Sequence, residues 1–123
     1  MTTTLTVIHI IGQIILGGYF IYSGIKHFMG HSDYTAFAAA NKVPMPGAAV
    51  TITGILLVLG GLGILFNIYM WIAIILLVIF LIPTSIMMHA FWKAGNPGEA
   101  ASQKIAFLKN MAILGALLLM FQI

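Results

Sequence analysis

Four long apolar runs occupy most of this chain and decide what it can fold into. They extend from about residue 5 to 28, 48 to 66, 69 to 92 and 105 to 123. A helix needs about 20 mainly apolar residues to cross the hydrocarbon core of a bilayer, and each run is close to that length. The runs are continuous rather than alternating, which disfavours a membrane β-barrel. The sequence therefore predicts an all-α, polytopic membrane protein with four transmembrane helices.

Composition favours lipid over water as the surroundings of this fold. Hydrophobic residues make up 62% of the chain and charged residues only 6%, against about 25% charged residues in soluble domains. A chain of 123 residues has too little interior to hide so much apolar surface from water. We therefore expect residues 1–123 to form a single domain in a lipid bilayer, and the N-terminus shows no pattern of a cleavable signal.

The connections between the runs predict an antiparallel four-helix bundle. Asn67 and Ile68 leave room only for a tight turn, so the second and third spans should be adjacent and antiparallel. The loop from 93 to 104 contains Gly95-Asn96-Pro97-Gly98, which is a turn signal.

The first loop, from 29 to 47, is long enough to hold structure of its own. Its stretch Asp33–Asn41 is typical of a short interfacial helix, with Ser32 or Asp33 as the N-cap. Pro44 and Pro46 are expected to end that helix.

All positive charges are lysines, and they lie on one side of the predicted bundle. The second loop and both termini carry none. The positive-inside rule then predicts a multi-pass protein of the cell (inner) membrane with cytoplasmic lysine-bearing loops and both termini outside. This orientation explains the net charge of +3, and no nucleic-acid partner is predicted. The lysines in or beside the first and third loops are Lys26, Lys42, Lys93, Lys104 and Lys109.

Small residues and one proline predict how the helices meet. Glycine lets two helices approach backbone to backbone in a bilayer, where no hydrophobic effect drives them together. Pro83 should bend the third span because it removes a backbone hydrogen bond, either opening a cavity or serving as a structural bend. The glycines assigned to helix packing are Gly17, Gly24, Gly54, Gly60, Gly61 and Gly115.

The polar residues that could carry function cluster toward the cytoplasmic ends of three spans. Charges and amides at membrane depth are costly, so each needs a partner, a route to water or a functional role. Convergence of such groups from different helices is typical of a binding site in a bundle. The predicted ligand-binding residues are Lys26, His27, His89, Lys109 and Asn110.

Lys109 and Asn110 differ in how easily a structural role explains them. If the fourth span begins near residue 105, Lys109 lies about one turn inside it and could extend to the interface. It could also reach the carbonyl-rich C-terminal ends of the first and third spans. The amide of Asn110 cannot extend so far and needs a neighbouring helix or a ligand as its partner. Asn110 is therefore the sharper indication of a packed or ligand-binding interior.

The cluster predicts no catalytic centre and no resident cofactor. His27 and His89 are possible haem or metal ligands, but two histidines without a nearby carboxylate are a thin signal, so haem is disfavoured. The chain has no cysteine, which excludes thiolate ligands. Without buried acids a catalytic triad is not expected, and neither is enzymatic activity of the chain on its own. A quinone head group stays compatible with the cluster.

Several short motifs, taken in order, resemble the DoxX family of small four-helix membrane proteins. The family includes a small subunit of a thiosulfate–quinone oxidoreductase and members tied to oxidative-stress complexes, and distant relatives are membrane chaperones and cargo receptors. Many members carry a glutamate where Leu57 stands and a basic residue near Asn67, so this resemblance implies binding more than redox or proton-coupled chemistry. The motifs are Gly24-Ile25-Lys26-His27-Phe28, Val43-Pro44-Met45-Pro46, Thr53-Gly54 with Gly60-Gly61, His89-Ala90-Phe91-Trp92, and Phe107-Leu108-Lys109-Asn110-Met111-Ala112-Ile113-Leu114-Gly115.

Three functions fit these observations. The first is a non-catalytic DoxX-like membrane subunit, scaffold or chaperone that binds a partner protein, a lipid or a quinone-like head group at a cytoplasmic-side polar pocket. It would associate with a partner membrane protein or as a homo-oligomer. The second is a quinone-linked redox subunit of a membrane oxidoreductase. The third is a small transporter, for which polar groups at one end alone are poor support.

Overall fold

A computed structural model describes residues 2–121 of the chain, and nearly all of that range is helical. The structure is 88% helical, and residues 2–121 contain no β-strand. Within the described range, four segments are long and apolar enough to cross a membrane, namely Thr2–Met29, Pro46–Phe66, Met70–Lys93 and Pro97–Met120. The prediction of an all-α fold with four spanning helices is therefore confirmed. The predicted end of the fourth span, at Ile123, lies outside the described residues.

Residues 2–121 contain five α-helices and one short 3-10 helix. In sequence order the α-helices are α1 (Thr2–Met29), α2 (His31–Ala40), α3 (Pro46–Phe66), α4 (Met70–Met88) and α5 (Pro97–Met120). The 3-10 helix, Phe91–Lys93, connects α4 to α5.

The four long helices pack as a series in which each contacts the next. The backbone of α1 lies against α3, α3 lies against α4, and α4 lies against α5, while α2 packs on α3. The two ends of the series, α1 and α5, do not pack closely along their backbones. All four contribute to one buried apolar core, whose fully buried members include Phe20, Leu57, Ile64, Leu77 and Leu117.

Glycines lie where α1 and α3 approach most closely. A Cβ atom built on Gly17 would lie 2.8 Å from the carbonyl oxygen of Gly61, and one built on Gly24 would lie 2.8 Å from that of Gly54. Such distances leave no room for a side chain, so the two backbones depend on glycine at these positions. Gly60 similarly faces Leu77 of α4, with 2.6 Å to Cγ. Gly115 differs from these glycines, because nothing lies within 4 Å of its added Cβ.

The last spanning helix begins eight residues earlier than the apolar run predicts. It starts at Pro97 rather than near residue 105. Asn96 is its N-cap, and its side-chain oxygen accepts a 2.7 Å hydrogen bond from the backbone N–H of Glu99. The Asn-Pro pair thus opens a helix, since asparagine is a favoured N-cap and proline a favoured first helical residue.

The third spanning helix ends earlier than predicted, and a compact connection follows it. α4 stops at Met88 instead of residue 92, and it continues through Pro83 without interruption. Phe91 and Trp92 of the 3-10 helix pack edge-on against Phe107 of α5, each with ring centroids 5.6 Å from that ring. These three rings attach the connection to α5.

The first loop forms the expected short helix, with different bounds. α2 covers His31–Ala40 rather than 33–41, and its N-cap is Gly30, not Ser32 or Asp33. The imidazole of His31 fixes α2 on α3, since Nε2 lies 3.1 Å from the carbonyl oxygen of Gly47 and 3.0 Å from Oγ1 of Thr51. Pro46 opens α3 instead of ending α2.

Candidate functional site

A pocket of about 430 Å³ lies among the helices at the end where α1 and α4 finish and α5 begins. That volume is in the range of small-molecule sites in proteins. Apolar and aromatic side chains form most of its wall, with polar groups at a few points. The polar lining residues are Tyr19, Ser23, His27, Tyr34, Thr53, Thr84, His89, Lys109 and Asn110.

His27 is held in the pocket wall by α3. Its Nδ1 lies 3.2 Å from the carbonyl oxygen of Val50 and 3.1 Å from Oγ1 of Thr53. A carbonyl can only accept, so Nδ1 carries the proton. The Thr53 hydroxyl donates to the carbonyl of Ala49 at 2.7 Å and therefore accepts from the imidazole. In the neutral ring this arrangement leaves Nε2 as an acceptor for a ligand.

His89 lies at the C-terminal end of α4 and is tied to the first turns of α5. Its Nδ1 is 2.8 Å from Oε1 of Gln103. Since the amide oxygen accepts, the proton is again on Nδ1, and Nε2 is left free to interact with a bound molecule. Both pocket histidines therefore use the same ring nitrogen for support and keep the other available.

Lys109 contacts α1 instead of a helix end. Its Nζ donates a 3.2 Å hydrogen bond to the hydroxyl oxygen of Tyr19, and it lies 5.7 Å from the centre of the same ring. The early start of α5 explains the difference from the predicted extension to the interface. Lys109 is twelve residues beyond Pro97, so it lies about 18 Å along the helix, and the phenol of Tyr19 is the nearer polar partner.

Asn110 is the buried polar group of the pocket wall. Only 6% of its surface is exposed, and it lines the pocket. Its neighbours in sequence and space form hydrogen bonds of their own, such as Lys109 with Tyr19 and His89 with Gln103. Within residues 2–121 the carboxamide of Asn110 has no such partner. Within these residues no structural hydrogen bond to a neighbouring helix explains Asn110, and the residue lines the pocket.

Carboxylates are missing from the wall of this pocket. The two acids of the chain are Asp33 and Glu99, and neither lines it. Leu57 lines it instead, fully buried in α3. Across residues 2–121, no group of three or more histidine, aspartate or glutamate side chains is placed to hold a metal ion. Positive charge and hydrogen-bond donors thus predominate over negative charge at the site.

Four of the five residues predicted to bind a ligand line the pocket together, and Lys26 does not. His27, His89, Lys109 and Asn110 come from α1, the end of α4 and α5. Lys26 is exposed, with Nζ 5.7 Å from the centre of the Tyr22 ring. The glycine contacts explain this placement, because a residue two positions after Gly24 lies about 200° around the helix from the face that meets α3.

Tyr19 is one of the pocket residues that the sequence does not single out. It lies in a continuous apolar run, where a tyrosine is unremarkable. One sequence signal points to it. An intramembrane lysine such as Lys109 needs a partner, and the hydroxyl and ring of a tyrosine in another span can both bind an ammonium group. Tyr34 and Phe80 were likewise missed, and their rings pack edge-on against His27 with centroids at 4.8 Å and 6.0 Å.

Comparison with known proteins identifies a family for the chain. The DoxX family model matches residues 8–90, which is most of the chain and covers most of α1 and all of α2, α3 and α4. Searches of curated proteins and of solved structures returned no significant match. The matched range ends just after His89, so Lys109 and Asn110 lie outside it.

Proposed function

The chain belongs to the DoxX family of membrane proteins, and on that premise we propose that it is a non-catalytic membrane subunit that holds a lipid-like or quinone-like molecule in the pocket between its helices. The molecule would place its polar head group against His27, His89, Lys109 and Asn110 and its apolar part against the pocket wall. Partner proteins would receive or deliver this molecule, or depend on it for assembly.

The unpartnered amide of Asn110 carries the proposal. An amide that loses water without gaining a hydrogen-bond partner costs about 1–3 kcal/mol, and acyl chains filling the pocket would offer it none. Asn110 is 6% exposed and lines a pocket of about 430 Å³. A ligand with hydrogen-bonding groups would supply the missing partners of the amide and explain why a polar residue occupies this position. A residue needed only for packing would be better as leucine at the same position.

The pocket wall supports an amphiphilic ligand. Aromatic and aliphatic side chains such as Phe20, Leu57, Phe80 and Leu81 form its inner surface. The polar groups are few and interrupt this apolar surface at separate points, so a head group would bind at them while the apolar part contacts the remaining wall. Binding sites in proteins commonly combine an apolar wall with a few orienting polar groups.

A binding role is favoured over catalysis because the pocket lacks an acid or base pair. General acid–base catalysis needs one side chain that donates a proton to the substrate and one that removes a proton from it. These side chains are usually a carboxylate or an activated histidine. Asp33 and Glu99 lie outside the wall, and the two histidines are supported by neutral amide, hydroxyl and carbonyl groups. These features support a holding site.

Lipid extracted from the purified protein would test the proposal. The protein is isolated in polymer-bounded native bilayer, and co-purifying molecules are compared by mass spectrometry between wild type and Asn110→Leu. We expect one lipid-like or quinone-like species to be enriched in wild type and reduced about tenfold in Asn110→Leu, the loss for one buried hydrogen-bonded group. The matched control is Gln13→Leu, which removes an intramembrane amide bonded to the carbonyl of Ile64, outside the pocket. Equal lipid content in all three proteins would reject the proposal.

A quinone-linked redox subunit is the second candidate, and the aromatic wall is the observation that favours it. Tyr19, Phe20, Tyr34, Phe37 and Phe80 all line the pocket. A planar quinone ring would stack against such side chains, and its carbonyls would accept from Asn110 and Lys109. Titration with a water-soluble short-chain quinone, followed by isothermal calorimetry, tests this candidate. An unsaturable signal in wild type rejects it and leaves the lipid-holding role in place.

A further inference from the structure

We propose, building on the binding role above, that the ligand is a single-chain anionic amphiphile of the bilayer that enters between α1 and α5, its head group joining Lys109, Tyr19 and Asn110. The polar atoms of these side chains would bind the anionic oxygens. The chain of the ligand would lie along the apolar wall and leave the pocket through the gap between the two helices.

Charge at the pocket supports an anionic head group. Lys109 is the one lysine among its lining residues, and none of them is a carboxylate. Its ammonium is held by a neutral phenol and the ring of that phenol. A charge at membrane depth is costly without a counter-charge, and no acid of this chain lines the pocket to provide one. An anionic head group would neutralise Lys109 and be neutralised by it.

The hydrogen bonds present leave donors free for such a group. Tyr19 accepts from Lys109 through its oxygen, so its own phenolic proton is available to donate. Lys109 has two further N–H groups, and Asn110 offers the N–H groups of its unpartnered amide. Donors from two helices therefore converge on one region, and carboxylate or phosphate oxygens accept from several donors at once.

The gap between α1 and α5 is the route from the bilayer. These helices do not pack closely along their backbones. Lys109 and Tyr19, whose side-chain hydrogen bond bridges the two helices, both line the pocket and are both exposed. Tyr19 lies seven residues before Lys26, which places this contact about 10 Å deeper along α1 than that lysine. At that depth the outer surface faces acyl chains, so an amphiphile can enter without crossing water.

Affinities for amphiphiles of equal chain length test the charge preference. Oleate, oleyl alcohol and oleoyl lysophosphatidate are titrated separately into the protein in zwitterionic nanodiscs. We expect oleate to bind about tenfold or more tightly than the alcohol, as one charge-assisted hydrogen bond would give. If the phosphate binds better than oleate, the anionic class stands and the head group is a phosphate. Equal affinity for alcohol and anions overturns this inference but leaves the binding role intact, whereas absence of binding by all three overturns both.

Variants at the charge separate this site from non-specific attraction. Lys109→Met should abolish the preference for oleate over the alcohol, and an unchanged helical circular-dichroism spectrum shows that the variant is folded. Lys109→Arg should restore the preference, and Tyr19→Phe should reduce it. The matched control is Lys104→Met, because the Lys104 ammonium lies over Phe91 outside the pocket. A preference that survives Lys109→Met, or that Lys104→Met removes equally, overturns the inference.

A photoreactive oleate with a diazirine at mid-chain tests the route. We expect labelled peptides from α1 and α5, with competition by unlabelled oleate. Labelling confined to α2 and the first loop would overturn the proposed route.

Discussion

The backbone of Gly17 fills the space that a side chain at position 61 would need, and the backbone of Gly61 fills the space that a side chain at position 17 would need. A Cβ on either one would lie 2.8 Å from the carbonyl oxygen of the other. The obstructing atoms are backbone, so they cannot turn aside as a flexible side chain could. Because backbone blocks both positions, the α1–α3 contact is sensitive to any increase in side-chain size at either glycine.

We expect Gly61→Leu to destabilise the bundle by about 3 kcal/mol or more, the upper range for an overpacked contact. Unfolding in mixed bicelles, followed by circular dichroism, measures this loss. Gly115→Leu is the matched control, since nothing lies within 4 Å of a Cβ at that position, and surface changes cost about 0.5 kcal/mol or less. Equal loss in the two variants would contradict the packing of α1 on α3.

Leu57→Glu should couple to Lys109. Leu57 is fully buried and lines the pocket together with that lysine. A buried carboxylate is costly unless it is paired, so we expect Leu57→Glu to cost about 2 kcal/mol more in a Lys109→Met background than in wild type. A double-mutant cycle by chemical unfolding gives the coupling. Leu57→Gln, which carries no charge, should show a coupling near zero, and an equal coupling would mean that charge is not responsible.

Replacing His31 should loosen α2 without affecting the spanning helices. Its Nε2 is 3.1 Å from the Gly47 carbonyl oxygen and 3.0 Å from Oγ1 of Thr51, so it attaches α2 to α3. His31→Phe should lower the local opening free energy of His31–Ala40 by about 1 kcal/mol, the contribution of one such hydrogen bond. Hydrogen exchange with mass spectrometry measures it. His9→Phe, an exposed position in α1, should leave exchange in α2 unchanged.

Asn96→Ala should weaken the start of α5. The Asn96 side chain caps the helix through the N–H of Glu99 at 2.7 Å. Loss of an N-cap of this kind costs about 1 kcal/mol. Thermal unfolding measures this loss of stability. The control is Ser102→Ala, a substitution at an exposed position within α5. If both substitutions cost the same, Pro97 is not where the helix begins.

The positive-inside prediction can be tested directly because the chain has no cysteine. Single cysteines at Ser32, Asn67 and Ser102 are labelled in intact cells with a membrane-impermeant maleimide. We expect Asn67→Cys to react from outside, and Ser32→Cys and Ser102→Cys to react only after permeabilisation. The opposite pattern would place the lysine-bearing loops outside.

Hydropathy predicts the number and order of the spans well because lipid imposes the same requirement on each. It does not predict where α5 begins, since Glu99, Gln103 and Lys104 are compatible with a helix but not with hydrocarbon. The start of that helix is determined by the Asn96 cap, and the edge of the apolar run marks a different boundary.

The sequence also predicts which polar residues share one end of the bundle, but it does not predict which of their side chains line the pocket. His27 and Lys26 are adjacent, yet only His27 lines the pocket, because the glycine contacts with α3 fix the rotation of α1. Rotation depends on which helices pack together, which is a property of the whole bundle. The pairing of Lys109 with Tyr19 depends on it as well.

The ring cluster of Phe91, Trp92 and Phe107 has a consequence for how the pocket can change width. Because the cluster attaches the 3-10 connection to α5, these two segments form one wall whose backbone joint with the remainder is at His89 and Ala90, where α4 ends. The glycine contacts of α1 with α3 lie elsewhere and would stay intact if this wall swung outward. A thicker occupant would therefore have to loosen the packing of α5 on α4 and the hydrogen bond between Gln103 and His89, while the α1–α3 contact would hold its position.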